Sequence, residues 1–453
     1  MQTSSTGRGH WSSRMGFILA AAGSAIGLGN IWRFPYTAGE NGGGAFVLLY
    51  LIFVFAIGVP VQLSELAVGR RTQRNPVGAF KALAPGSPWP LLGSLGVICG
   101  FGILSFYSVI AGWTLGYIYM AVTGRFNEGF DSQAVFGGFV GDTVWPIVLC
   151  AVFMTLTVSV VRKGVSGGIE RASRILMPIF LVLLILLAVR SLTLPGATEG
   201  LKFLYEVDFS KLLDPAVMGS ALGQALFSLS LGMGAMITYG SYLSKDENLP
   251  AAAGSVAIFD TSIALLAGII LFPALAFAGI EPAAGPGLVF MAMPTIFASM
   301  PLGAVVGIAF YTLLAIAALT STISLLEVIV AYVVDERGWD RSKAAMTVGF
   351  VCFLLAVPSA LANGASPFFS NFAGSDFLSV MDKIFGKYGL SIGALGLCLF
   401  AGWRWGVKNT LEEIEAGGHK LPASGVWAFL VRFVCPLAMV AILALVMLNM
   451  ANW

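Results

Sequence analysis

Eleven long apolar stretches dominate the chain and restrict what it can fold into. A helix crosses the hydrocarbon core of a bilayer in about 20 residues. Only 11% of the 453 residues are charged, against about 25% in an ordinary soluble domain. We therefore predict an all-α membrane protein with transmembrane helices near residues 15–38, 44–70, 90–123, 143–161, 172–190, 214–243, 254–279, 300–334, 343–361, 377–405 and 424–450.

The same composition excludes several classes of protein. The 25 Lys and Arg residues nearly balance the 23 Asp and Glu residues, so the chain offers no basic field to a nucleic acid. The five cysteines lie in apolar stretches without a CxxC pair, and we predict that they pack inside the membrane instead of forming disulfides. With two histidines and no HExxH motif, the chain is not expected to be an enzyme.

The basic residues predict the orientation in the membrane. When the spans are threaded alternately across a bilayer, most Lys and Arg residues fall on the side of the N-terminus. Arg70, Arg71 and Arg74 at the end of the second span are examples. Basic residues concentrate in cytoplasmic segments. We predict a multi-pass protein of the plasma (inner) membrane with a cytoplasmic N-terminus and, because the number of spans is odd, an external C-terminus.

Two spans contain glycine clusters where a membrane helix is normally continuous. The first reads GSAIGLGN over residues 23–30, and the sixth reads SLSLGMG over residues 228–234. Glycine inside a helix costs about 1 kcal/mol relative to alanine. One interpretation is close packing of helices through small residues. The other, favoured by corresponding positions in two sets of five spans, is a pair of discontinuous helices around a site at the membrane midplane.

This repeat predicts how the chain is organised. We expect a cytoplasmic N-terminal segment at 1–14, a first repeat of five helices at 15–190, an extracellular loop at 191–213, a second repeat at 214–407, and a cytoplasmic loop with the eleventh helix at 408–453.

Five stretches carry a resemblance to a known family, one of which is the segment from Ser228 to Tyr242 and the other four of which are short motifs. The short motifs are GSAIGLGNIWRFP from Gly23 to Pro35, ENGGGAF from Glu40 to Phe46, WTLG from Trp113 to Gly116 and LTST from Leu319 to Thr322. The chain resembles the neurotransmitter:sodium symporter family, in particular its bacterial eleven-helix branch. The resemblance implies the leucine-transporter fold, a five-plus-five inverted repeat with broken helices 1 and 6. It also implies sodium-coupled import of hydrophobic L-amino acids by alternating access.

The resemblance further implies three groups of site residues. A first sodium ion would bind at Ala25, Asn30, Ser228 and Asp260. A second would bind at Gly23, Ile26, Ala317, Thr320 and Ser321. For Thr320 and Ser321, ordinary hydrogen bonds between helices are the alternative interpretation. The amino acid would bind at Ala25, Leu28, Gly29, Ile103, Tyr107, Phe227, Ser228, Ser230, Met233, Ser321 and Leu325.

Three positions bear on specificity. Met233 is a flexible wall that adapts to varied side chains, which predicts a broad hydrophobic range. Gly27 lacks the carboxylate with which monoamine transporters of the family hold their substrates, so we expect an amino acid. Asp260 is interpreted as a fixed negative charge beside the first sodium ion that makes transport independent of chloride. A structural carboxylate bonded to a neighbouring hydroxyl is the alternative.

The resemblance also implies two gates. Arg33 and Asp382 match the extracellular pair, and Arg8 and Asp335 match the cytoplasmic pair, which Trp11 and Tyr242 support. Each charge could instead be a solvated helix end.

Two further carboxylates lie inside spans. Glu65 and Glu327 are expected to brace unwound backbone or the inner pathway. For the whole chain, a transporter of another small zwitterion, such as an osmolyte, or a membrane sensor of amino acids remain alternatives.

Overall fold

The computed structural model describes residues 9–126, 129–282 and 285–448. All the regular elements in these ranges are helices, joined by turns and irregular segments, and the only β-type pairing in them is an isolated bridge between Phe372 and Ser375. The predicted all-α fold class is confirmed.

Long apolar helices form most of the described structure. Eight continuous helices in it are long and apolar enough to cross a membrane, and they are Gly44–Thr72, Pro90–Val122, Val165–Leu192, Leu249–Ala278, Gly303–Arg337, Arg341–Ala360, Phe377–Arg404 and Ser424–Met447. The pair Arg14–Ala25 and Gly29–Glu40 is bent by 47°, and the pair Ser132–Val140 and Trp145–Val161 is bent by 72°.

A third interrupted pair, Pro215–Ser228 and Ala235–Gly240, corresponds to the predicted sixth span. The helix predicted at 172–190 begins earlier, because Val165–Glu170 is wound as a π-helix and continues directly into Arg171–Leu192. Shorter helices in the connecting segments were not predicted, and they are Pro76–Leu83, Ala197–Tyr205, Ala292–Ser299, Pro367–Ser370 and Val407–Ile414.

Local sequence signals explain where several helices begin and end. The Asn248 side chain accepts a hydrogen bond from the Ala251 N–H at the start of Leu249–Ala278. Asp340 caps Arg341–Ala360 in the same way. Such caps satisfy N–H groups that have no partner inside the helix. Gly338 ends Gly303–Arg337 with a φ of 65°, a conformation that glycine adopts without strain.

The two predicted breaks are present in the backbone. Ile26 is extended, with φ −74° and ψ 104°, and separates Arg14–Ala25 from the next helix. In the sixth span, Ser230, Gly232 and Gly234 all have positive φ, at 55°, 85° and 76°. The Ser230 hydroxyl donates a 2.9 Å hydrogen bond to the Ser24 carbonyl. The two breaks therefore lie against each other.

The helices Pro90–Val122 and Gly303–Arg337 pack together beside these breaks. Of the most apolar window of Gly303–Arg337, 89% is buried, against 33% for Val165–Leu192 and for Ser424–Met447. The broken helices thus lie in the interior, and the peripheral helices present apolar side chains outward. Such exposure matches a surface that faces lipid.

Candidate substrate and ion site

A cavity lies between the two breaks and the helices Pro90–Val122 and Gly303–Arg337. It has about 360 Å³ of empty volume, and its lining consists of Ser24, Ala25, Gly27, Gly29, Ile103, Tyr107, Phe227, Ser230, Met233, Ser321, Ser324 and Leu325. Nine of the eleven residues predicted to bind substrate are among them. The other two, Leu28 and Ser228, lie beside it and contact lining or ion-site residues.

One end of the cavity is polar. The Tyr107 hydroxyl accepts a 2.8 Å hydrogen bond from the Leu28 N–H at the first break. The hydroxyls of Ser230 and Ser321 both donate to the Ser24 carbonyl, at 2.9 and 3.3 Å. Main-chain groups of the first broken helix therefore meet hydroxyls from the second break and from the helices Pro90–Val122 and Gly303–Arg337 at this end, an arrangement that can bind both a carboxylate and an amine.

Much of the remaining lining is apolar. Ile103, Phe227, Met233 and Leu325 form it, and none carries a charge. At the polar end, Gly27 leaves room for two neighbouring hydroxyls because it has no side chain. A Cβ at Gly27 would come 2.7 Å from the Tyr107 hydroxyl oxygen and closer still to the Ser321 hydroxyl. The absent side chain at Gly27 is thus required for the cavity to keep its shape.

A buried polar cluster surrounds Asp260, which has no exposed surface. Its carboxylate accepts hydrogen bonds from Asn30 and Ser228, both at 2.7 Å, and from Tyr50 at 3.2 Å. The Asn30 amide oxygen accepts from the Gly27 N–H at 3.1 Å. Three of the four residues predicted for the first sodium ion are therefore in mutual contact, and the fourth, Ala25, lines the adjoining cavity.

The residues predicted for the second sodium ion also converge. The Thr320 hydroxyl lies 3.4 Å from the Ile26 carbonyl and 2.9 Å from the Ala317 carbonyl. The Ser321 hydroxyl lies 3.4 Å from the same Ile26 carbonyl. A Cβ on Gly23 would come 3.3 Å from the Thr320 Cβ, so the fifth residue is adjacent. The set supplies only oxygen atoms, which suits a hard cation.

An aromatic and charged layer covers the cavity on the side predicted to be extracellular. The Arg33 guanidinium lies 4.3 Å from the centre of the Phe227 ring and 3.9 Å from the Asp382 carboxylate. Beyond this layer is a larger cavity with about 1820 Å³ of empty volume. Phe227 and Tyr107 line both cavities, so they separate the buried site from this vestibule.

On the opposite side, Tyr242 joins two elements. Its hydroxyl donates a 2.6 Å hydrogen bond to Glu327, and the other Glu327 oxygen pairs with Arg341. Trp11 packs edge-on against Tyr242 and donates its indole N–H to the Tyr239 carbonyl at 3.1 Å. The expected inner-gate residues Trp11 and Tyr242 are therefore in contact, and Glu327 has a defined role as the acceptor between two donors.

The predicted pair of Arg8 and Asp335 is not tested, because Arg8 lies outside the described residues. Asp335 accepts hydrogen bonds from the main chain and the side chain of Asn75, at 3.0 and 3.1 Å. It lines a cavity at the inner side together with Tyr242 and Arg341. Glu65, expected to brace unwound backbone, accepts a 2.7 Å hydrogen bond from the Gly232 N–H.

Several contributors were missed by sequence reasoning. Ser24 and Ser324 line the cavity, and Gln224 donates a 2.8 Å hydrogen bond to the Gly29 carbonyl. Tyr50 reaches Asp260 from the second span. The one sequence signal for these residues is a polar residue within an apolar run. Such a residue is expected to have a buried hydrogen-bond partner, but the sequence does not show which group that partner is.

A model of the Sodium:neurotransmitter symporter family matches residues 8–129 and 136–453. The chain belongs to this family.

Relatives of this symporter agree with the assignment. An uncharacterized sodium-dependent transporter, YhdH, of Bacillus subtilis is 41% identical over 95% of this chain and 96% of its own length. An uncharacterized sodium-dependent transporter of Haemophilus influenzae is 36% identical over 98% of this chain and 99% of its own length. A crystal structure of MhsT in complex with L-phenylalanine superposes with a TM-score of 0.90 at 48% identity, covering 97% of this chain and 99% of MhsT.

These matches confirm the predicted leucine-transporter fold and family. The protein is a sodium-coupled symporter with several membrane-spanning helices, and it is a transporter, not an enzyme.

Proposed function

We propose that this symporter imports hydrophobic L-amino acids. The observation that carries the proposal is the division of the buried cavity into a polar end and a wall of Ile103, Phe227, Met233 and Leu325. A zwitterionic head needs hydrogen-bond partners, and an apolar side chain gains free energy on leaving water. The similarity to MhsT, whose structure holds L-phenylalanine, supports the same substrate class.

In the proposed complex, the substrate carboxylate meets the Leu28 and Gly29 N–H groups and the Tyr107 hydroxyl. The amine meets the carbonyls of Ala25, Phe227 and Ser228 and the Ser230 hydroxyl. The short distance between the Leu28 N–H and the Tyr107 hydroxyl supports this, because one carboxylate can span both donors.

We further propose two sodium ions. The first lies among Ala25, Asn30, Ser228 and Asp260, where the Asn30 amide must turn over so that its oxygen faces the cation. The second lies among Gly23, Ile26, Ala317, Thr320 and Ser321. The mutual contacts within each set support both positions.

The Asp260 carboxylate supplies the fixed negative charge at the first ion, so chloride is not required. Its burial supports this role, because an ionised buried carboxylate is stable only beside donors or a cation.

Alternating access follows from the two covered ends of the site. Opening the outer side requires Arg33 to leave Asp382 and Phe227, and opening the inner side requires Tyr242 to leave Glu327. The proposed orientation has the N-terminus in the cytoplasm and the C-terminus outside, with repeats at 15–190 and 214–407. Protease accessibility of tags at both termini in sealed, oriented vesicles tests that orientation.

The test of function is uptake of radiolabelled leucine, phenylalanine and tryptophan into proteoliposomes, with sodium replaced by choline and chloride by gluconate. Concentrative uptake that needs sodium and ignores chloride is expected. Uptake of betaine or γ-aminobutyrate in preference to these three would overturn the substrate class. Sodium-dependent binding without accumulation would favour a sensor.

A further inference from the structure

A second cavity lies apart from the substrate site, between the ends of the helices Pro90–Val122 and Trp145–Val161. It has about 900 Å³ of empty volume and is bounded on a third side by the short helix Ser132–Val140. Apolar and aromatic residues such as Phe139 and Leu149 form most of its lining. The part of this space that a water-sized sphere can occupy is about 360 Å³, which falls within the roughly 300–1,000 Å³ typical of ligand pockets.

The position of this cavity relative to the membrane follows from the helices that form it. Pro90–Val122 ends and Trp145–Val161 begins beside it, so its mouth lies where two spans leave the apolar layer. Tyr119 and Trp145 line it, are each more than half exposed, and stack with ring centres 6.2 Å apart. Exposed Tyr and Trp rings are typical of the membrane–water boundary.

Two opposite charges line the same cavity just beyond the helix ends. They are Arg125 and Asp142, and within the described residues no ion pair joins them. One Asp142 oxygen accepts hydrogen bonds from the N–H groups of Val144 and Trp145, both at 2.7 Å. These N–H groups lower the pKa of Asp142, which therefore remains a carboxylate at neutral pH.

We propose that this cavity binds a membrane phospholipid with a phosphoethanolamine headgroup. The phosphate contacts Arg125, the ammonium contacts Asp142, and an acyl chain follows Tyr119, Trp145 and Leu149 into the apolar layer. The proposal rests on the chain spanning a membrane and not on the substrate class proposed above.

Charge complementarity favours this headgroup over others. A phosphoglycerol headgroup would satisfy Arg125 and leave Asp142 beside a second negative charge. A soluble zwitterion would match both charges but would gain nothing from the apolar surface that continues from the mouth. That surface includes Val148 and Val152, which are 43% and 45% exposed along the same helix. A lipid is the ligand that uses both features.

The experiment measures lipid retention by native mass spectrometry of the full-length transporter, purified in detergent and mixed with dioleoyl phosphatidylethanolamine, phosphatidylglycerol or phosphatidylcholine. The variants are Arg125→Gln and Asp142→Asn, the second of which keeps an oxygen to cap the following helix. Arg190→Gln is the matched control, because Arg190 ends another span and lies outside this cavity. Gel filtration and the thermal unfolding midpoint check that each variant is folded.

We expect the wild-type protein to retain phosphatidylethanolamine more tightly than the other two lipids. Arg125→Gln should weaken retention of all three by roughly fivefold, since a basic residue near the membrane surface contributes about 1 kcal/mol. Asp142→Asn should remove only the preference for phosphatidylethanolamine, and Arg190→Gln should change nothing.

Three results would overturn the proposal. The first is unchanged retention of phosphatidylethanolamine in both Arg125→Gln and Asp142→Asn. The second is a preference for phosphatidylglycerol, which would indicate a site for anionic lipid. The third is displacement of the lipid by soluble glycerophosphoethanolamine at equal concentration, which would indicate that the headgroup alone is recognised.

Discussion

Replacing Asp260 by Asn tests the proposed role of this carboxylate most directly. The change keeps the size of the side chain and removes its charge. Asp260 accepts hydrogen bonds from Asn30, Ser228 and Tyr50. An amide has one accepting oxygen, so its NH₂ group would face donors that now point at the carboxylate. The site would lose both its negative charge and part of its hydrogen bonding.

The size of the effect follows from the complete burial of Asp260. Removing one partner of a buried, hydrogen-bonded charge pair costs about 2–5 kcal/mol, and each 1.4 kcal/mol is about a tenfold change in affinity. The lower limit corresponds to a loss of roughly 30-fold in apparent sodium affinity. If the carboxylate replaces a bound anion, chloride should recover part of this loss in the variant and have no effect on the wild-type protein.

The assay is sodium-dependent binding of radiolabelled leucine to purified protein, titrated with sodium in chloride and in gluconate. Ser255→Ala is the matched control, because Ser255 lies on the same helix and its hydroxyl bonds to the Ala251 carbonyl of that helix. Residual binding at saturating sodium distinguishes a weakened site from an unfolded protein. Unchanged sodium affinity in a folded Asp260→Asn variant, in either anion, would refute the reasoning.

Three further predictions concern the cavity and the inner side. Gly27→Ala should lower leucine affinity by about tenfold or more, since its methyl group would overlap the Tyr107 hydroxyl; equal affinity in equilibrium binding would contradict this. Met233→Phe should reduce tryptophan uptake more than alanine uptake, and an unchanged uptake ratio would show that this wall does not limit size. Tyr242→Phe removes a hydrogen bond to the Glu327 carboxylate, worth about 1.5–3 kcal/mol. It should raise the inward-open population by about tenfold or more, measured by thiol labelling of a cysteine in the inner cavity, and unchanged labelling would exclude a gating role.

The breaks could be predicted from sequence because their cause is local. Glycine clusters inside apolar runs weaken a helix wherever they occur, and two such clusters in corresponding positions indicated a shared site. The positive φ values of Ser230, Gly232 and Gly234 are the expected result. The positive φ of Ser230 could not be predicted, because serine has no propensity for that conformation. In this conformation the Ser230 hydroxyl donates a hydrogen bond to the Ser24 carbonyl.

The inner network could not be predicted because its cause is not local. Glu327 accepts from Tyr242, 85 positions earlier, and from Arg341, 14 positions later across a helix boundary. A single sequence shows a carboxylate in an apolar run and predicts only that it has some partner. Which partner it has depends on how the spans are arranged around it. The same applies to Tyr50 and Asp260, on spans whose contact no spacing reveals.

The contacts around the two breaks explain why the site lies there. A helix interrupted inside a membrane exposes peptide groups that water does not reach, and each costs several kcal/mol unless it is paired. Side chains from other positions pair some of them: Asn30 with the Gly27 N–H, Gln224 with the Gly29 carbonyl, Ser230 with the Ser24 carbonyl and Glu65 with the Gly232 N–H. The peptide groups that face the cavity are then the natural ligands of a carboxylate, an amine and a cation. Ligands that complete this pairing bind the folded state selectively, so sodium and substrate together should raise the thermal unfolding midpoint more than either alone.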